Sequence, residues 1–144
     1  MDSLQHHRDY LEGAWQAAQA APLSARKAML VAALVDAYVD HLFGQDPDVG
    51  DILEHRAAIA TRVPALGLVM ALCAQRGRLV TEAQAVPIED YGALGVEDFM
   101  VSLYNHHTVQ RLRLVADDGS RHDILETLRA AVDALAALDE SGGR

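Results

Sequence analysis

The chain of 144 residues has one cysteine and one lysine, and only 5% of it is aromatic. A lone Cys73 excludes an internal disulfide, and its apolar setting VMALCAQ suits a small packed hydrophobe better than an activated thiolate. A reducing cytoplasm is the compartment this implies. The scarcity of aromatics, set beside abundant alanine and a hydrophobic content of 51%, argues against disorder and for closely packed helices over a sheet sandwich. The longest apolar run, Ala28 to Val35, is too short to cross a bilayer. The opening MDSLQHHRDYLEG also lacks the basic start and apolar core of a signal peptide, so no membrane partner is expected. Positive charge is scarce too: 12 Lys and Arg against 21 Asp and Glu give a formal charge of −9 and a pI near 5.0. Such a molecule repels polyphosphate and anionic lipid, which removes nucleic acid from the expected partners. The excess of arginine over the single Lys27, with the alanine content, points to a GC-rich bacterial genome.

Strong catalytic signatures are missing as well. There is no glycine-rich phosphate loop, no nucleophile elbow around Ser24, Ser102 or Ser120, and no repeat. No two histidines stand three or four residues apart, and no Glu-x-x-His pair recurs, so the spacing for a zinc or di-iron site is lacking. No cofactor and no tightly bound transition metal are expected.

What is present is helical periodicity. Leu4, His7, Leu11, Ala14, Trp15 and Ala18 predict an amphipathic helix over 3–20, ended by Pro22. Ser24 is placed to cap a second helix in which AMLVAALV is apolar on nearly every side, the best candidate for a buried central helix, with Gly44 as its stop. Asp51 and Glu54 resemble a capping box for a helix reaching about Arg62, and Pro64 opens a separate or sharply kinked helix expected to end at Gly77. RLVTEAQAVP reads as a strand, and IEDYGALG as a loop in which Tyr91 and two glycines allow a lid reading. Residues 96–105 match the helical template, although Phe99, Val101 and Leu103 also alternate. TVQRLRLVA is a clear strand, DDGS a turn, and Asp123 with Glu126 caps a last helix before a frayed tail at 139–144.

The fold class expected is therefore α+β, predominantly α: one domain over 1–144 with five to six helices and a two- or three-stranded sheet before the C-terminal helix.

The candidate sites follow from this layout. His106 and His107 are adjacent, so they project apart on either a helix or a strand and suit a turn or cap after Asn105 better than shared metal ligation. His7 and His55 sit on apolar faces and are read as packed, while His6, His41 and His122 are read as exposed. Asp36 and Asp40 share a helix face and have the geometry of paired carboxylates, or of the wet side of an emerging helix. Alternation puts Leu112 and Leu114 on one face of their strand and Arg111 and Arg113 on the other, with Glu82 able to pair with one arginine and leave another free for an anionic ligand or partner. The function best matched is non-enzymatic: a small cytoplasmic bacterial protein that self-associates, as a homodimer, or docks on a protein partner through an alanine-rich helical face. Leu4, Leu11 and Trp15 of the first helix and Arg111 with Arg113 are the partner-binding candidates. The alternative is a small-molecule or metal-binding enzyme using His106, His107, Asp36 and Asp40.

Overall fold

Leu11, Trp15 and Ala18 recur at three- and four-residue spacing and all three are buried, which fixes the inward face of the first helix, α1 (Ser3–Ala20). A computed structural model describes residues 3–43, 50–85, 98 and 108–142. After α1 come α2 (Ala25–Phe43), α3 (Ile52–Arg62) and α4 (Pro64–Cys73), then strands β1 (Gly77–Ala85), β2 (Thr108–Ala116) and β3 (Arg121–Asp123), and finally α5 (Ile124–Gly142). Among the described residues this is an α+β fold dominated by five helices, with a three-stranded antiparallel sheet in the order β1-β2-β3 ahead of the C-terminal helix.

The central helix is the apolar one. α2 buries Ala28, Val31, Ala32, Val35, Tyr38, Val39 and Leu42 and packs against α1, α3, α4 and α5. Ser24 caps its start by accepting from the Lys27 N–H at 3.1 Å. Asp51 likewise caps α3 through the Leu53 N–H at 2.7 Å, and Asp123 caps α5 through the Glu126 N–H at 3.0 Å. Val63, at φ −129° and ψ 93°, breaks the path between α3 and α4, as a residue before proline must. Pro64 then occupies a first-turn position whose missing N–H costs no bond.

α4 stops at Cys73, short of the Gly77 expected from sequence. Gln75 takes the left-handed conformation (φ 63°), and the Arg76 N–H reaches back to the Ala71 carbonyl at 2.8 Å, so a glutamine closes the helix. Gly77 opens β1 instead, where a Cβ would lie 3.2 Å from the Val115 carbonyl oxygen. At the other end of the chain, α5 continues to Gly142, past the start of the tail expected at 139. Residues 96–105 lie outside the described residues except Asp98, which is helical.

The sheet lies against α4 and α5 with Leu112 and Leu114 in the core, as their alternation requires. Asp118 and Gly119 (φ +85°) make the turn between β2 and β3. Bonds from the Ser120 hydroxyl and N–H hold the Asp118 carboxyl below the usual carboxylate range.

The αL closure of α4 is open to test. Gln75→Gly is expected to leave stability unchanged or raise it by up to about 1 kcal/mol, and Gln75→Val to lower it by about 1–2 kcal/mol, because only the latter adds a branched side chain to a left-handed residue. Urea unfolding of the two variants checks the difference in sign.

Candidate functional site

Asp36 and Asp40, four residues apart on α2, do share a face, and that face meets α3. Arg56 on α3 pairs with Asp36 and, at 2.8 Å, with Asp40, and it also donates to the Asp36 carbonyl at 3.4 Å. Burial of the guanidinium opposes its charge, but the bonds and charges of the two carboxylates outweigh that, and its pKa is raised. The arrangement is a clamp between helices: both carboxylates of the proposed acid pair are engaged by one fixed cation. Cys73 lies within the field of this clamp. Burial, reinforced by Asp36, pushes its thiol up to about 11, so it is a poor nucleophile near neutrality.

The histidines expected to be packed are packed. His55 is buried and donates Nε2–H to the Val39 carbonyl at 2.9 Å, with Phe43 against its ring. His7 donates Nε2–H to the Leu34 carbonyl at 2.7 Å and stands edge-on to the rings of Tyr38 and His41. His6 and His41 are exposed, whereas His122 is half-buried and bonded to the Ser120 hydroxyl at 2.9 Å. His106, His107 and Tyr91 lie outside the described residues. Among the described residues no group of three or more potential metal ligands occurs.

Leu11 and Trp15, expected on a surface offered to a partner, are buried by the chain's own helices, and Leu4 is partly buried against the same core. That face of α1 is therefore consumed inside the fold. The arginines of β2 are on the face opposite Leu112 and Leu114, as expected, but neither is left over. Arg113 pairs with Glu82 at 3.2 Å and Asp123 at 3.6 Å, and Arg111 pairs with Asp98 at 3.1 Å. Arg121 completes the network on Glu82 at 2.7 Å. Glu82 sits across from Arg111 in the ladder yet bonds the diagonal Arg113, a reach that long side chains allow.

A cavity of about 610 Å³ opens between the α1–α2 turn, Asp98, the first half of β2 and the start of α5. Leu23, Leu112, Ile124 and Leu125 give it apolar walls, and the Asp98–Arg111 pair gives it its charged edge. Of the partner- and ligand-binding candidates read from sequence, Arg111 is the one among the described residues that borders it. Asp36, Asp40, His7 and His55 do not.

No protein-family model, curated protein or solved structure matches the chain.

The geometry of the site includes residues that sequence reading passed over. Arg56 and Asp98 are partners supplied by other elements, and Tyr38 donates to Asp139 at 3.0 Å while Arg8 pairs with the same carboxylate. Tyr38 and Asp139 are 101 residues apart, and no local spacing announces such a contact.

The Cys73 setting predicts its chemistry. Raising the pKa from 9.0 to about 11 cuts the thiolate fraction at pH 8 about a hundredfold, and the greater basicity of the remaining thiolate restores about tenfold. The native protein is therefore expected to react with Ellman's reagent at least about tenfold more slowly than the urea-unfolded chain. Because the folded pKa is the higher one, the thiol's contribution to stability is fully present below pH 9 and is lost as pH rises through about 11. Equal rates in the folded and unfolded chain would show that the thiol is not shielded.

Proposed function

We propose that the chain is a small, non-enzymatic protein of the bacterial cytoplasm that self-associates or docks on a protein partner. The observation that carries this reading is the outer face of α2. Leu30, Ala33 and Ala37 recur at helical spacing, all exposed, on a helix whose remaining faces are packed against its neighbours, and Leu30 is 55% exposed. Tyr10 on α1 and Leu53 on α3 add further large apolar side chains in water. Burying a leucine fully is worth about 1.5–3 kcal/mol, so a partner that covers this ridge gains from each such residue.

The state of the polar groups supports the same reading. Asp36 and Asp40 are held by Arg56, His55 and His7 by backbone carbonyls, and Arg111 by Asp98. Each has a structural partner that a catalytic role would require it to leave. The single half-buried thiol and the arginine-rich, lysine-poor composition favour a reducing bacterial cytoplasm.

Native mass spectrometry of untagged protein, scanned over micromolar concentrations, tests the reading. The expected result is an assembly of more than one subunit carrying no stoichiometric metal or small molecule. A monomer that retains such a ligand, and loses it in Leu23→Arg at the cavity wall, would replace this reading with a small-molecule-binding one.

A further inference from the structure

We propose that β1 is a docking edge for a second copy of this chain, two β1 strands pairing antiparallel about a two-fold axis at Val80 so that the two sheets become one. The inference rests on the self-association half of the reading above and assigns the copy-to-copy contact to the sheet instead of the helices.

The two edges of the sheet are treated differently. β3 is three residues long and runs directly into α5, which leaves little to pair with. β1 is nine residues long, and among the described residues no strand lies on its outer side. Sheets normally blunt an open edge with a short strand, a bulge, a proline or charged side chains, above all lysine. β1 has no bulge, proline or lysine: its register with β2 is unbroken from Gly77 to Ala85, and its two charges, Arg78 and Glu82, are of opposite sign and can pair across a two-fold axis. Arg78, Thr81, Ala83, Gln84 and Ala85 along it are exposed.

The hydrogen-bonding direction of each residue follows from the hairpin. The Ala116 N–H donates to the Ser120 carbonyl at 2.9 Å, so Ala116, Leu114 and Leu112 turn their backbone polar groups toward the β3 side, and Val115, Arg113, Arg111 and Val109 turn theirs toward β1. Their ladder partners Arg78, Val80, Glu82 and Gln84 therefore face β2. Leu79, Thr81 and Ala83 turn their N–H and C=O groups outward, where they have no backbone partner among the described residues.

Charge selects the register of a second strand. Pairing about Val80 sets the outward groups of Leu79 and Thr81 against the partner's Thr81 and the partner's Leu79, and places Arg78 opposite the partner's Glu82 twice, once on each side of the axis. These are non-hydrogen-bonded positions, where facing side chains come closest. Pairing about Thr81 sets Arg78 against glutamine, and pairing about Glu82 sets two carboxylates against each other. Arg78 has no ion-pair partner among the described residues, and the Glu82 carboxylate, already accepting from Arg113 and Arg121, retains acceptor sites for one more donor. Leu79, half-buried at the margin of the core, gains cover from the added strand. The contact is isologous, as a two-fold dimer requires.

Sedimentation velocity over about 1–200 μM, the range suited to an interface below about 1,200 Å², tests the proposal on the full chain. Wild-type protein is expected to dimerise. Thr81→Pro removes an outward N–H without touching the β2 ladder, and is expected to raise the dissociation constant at least about tenfold with an unchanged circular dichroism spectrum. Val80→Cys in a Cys73→Ala background is expected to form a disulfide-linked dimer on mild oxidation, and Ala83→Cys not to, since only Val80 faces its own counterpart at a bridgeable distance; this arm stands even where Thr81→Pro does not fold. A wild-type monomer throughout the range overturns both the edge and self-association. A dimer that survives Thr81→Pro, fails to cross-link through Val80→Cys and dissociates in Leu30→Arg overturns the edge and leaves self-association through the helices standing.

Discussion

Among the described residues, the other four helices are arranged around the burial of one. α2 buries Ala28, Val31, Ala32, Val35 and Val39 along its length, and small side chains at Ala28 and Ala32 let neighbouring helices approach closely. α1, α3, α4 and α5 all pack on it. A helix so apolar offers few polar groups to its neighbours, and three helices take them up from its middle onward: His7 of α1 bonds the Leu34 carbonyl, Asp139 of α5 bonds Tyr38, and Arg56 of α3 bonds Asp36 and Asp40. Partly exposed ion pairs contribute only about 0–1 kcal/mol each, against about 1.5–3 kcal/mol for a fully buried Val or Leu, so the apolar face supplies the stability and the polar contacts fix the azimuth of each helix around α2. Carboxylates that look like catalytic candidates in one dimension are thereby part of the fastening in three.

The sheet follows the same economy on the face that carries its arginines. Three of them, Arg111, Arg113 and Arg121, meet three carboxylates, Asp98, Glu82 and Asp123, so that each of these cations has a counter-charge. A basic strand in an acidic protein suggests an anion site only until its partners are placed. The groups left over lie at the edge of the sheet, where backbone groups of β1 have no partner among the described residues and Arg78 has no counter-ion among them.

Periodicity made most of the fold legible. Helix starts were readable because Ser24, Asp51, Asp123 and Pro64 act within three residues of themselves, and the faces of β2 were readable because alternation leaves one consistent choice for Leu112 and Leu114. The end of α4 was not, because a left-handed Gln75 does the work usually given to glycine and nothing in its neighbours announces it. The candidate site was less legible still. That Asp36 and Asp40 share a face is a local fact, but whether the face holds water, a metal or Arg56 depends on how α3 packs, 20 residues away from Asp36. The same holds for Leu11 and Trp15, whose stripe fits a partner's surface as well as the chain's own core until the other helices are in place.

The outer edge of β1, nine residues long and without a backbone partner among the described residues, is where a second copy is proposed to pair. Amide hydrogen exchange resolved to single residues and recorded on dilute and concentrated protein reads that pairing at each amide. Val80, Glu82 and Gln84, bonded to β2, are predicted to be protected at both concentrations, while Leu79, Thr81 and Ala83 exchange freely when dilute and gain protection when concentrated. Leu79, Thr81 and Ala83 exchanging at the rate of open amides at every concentration would show that no second strand pairs at this edge.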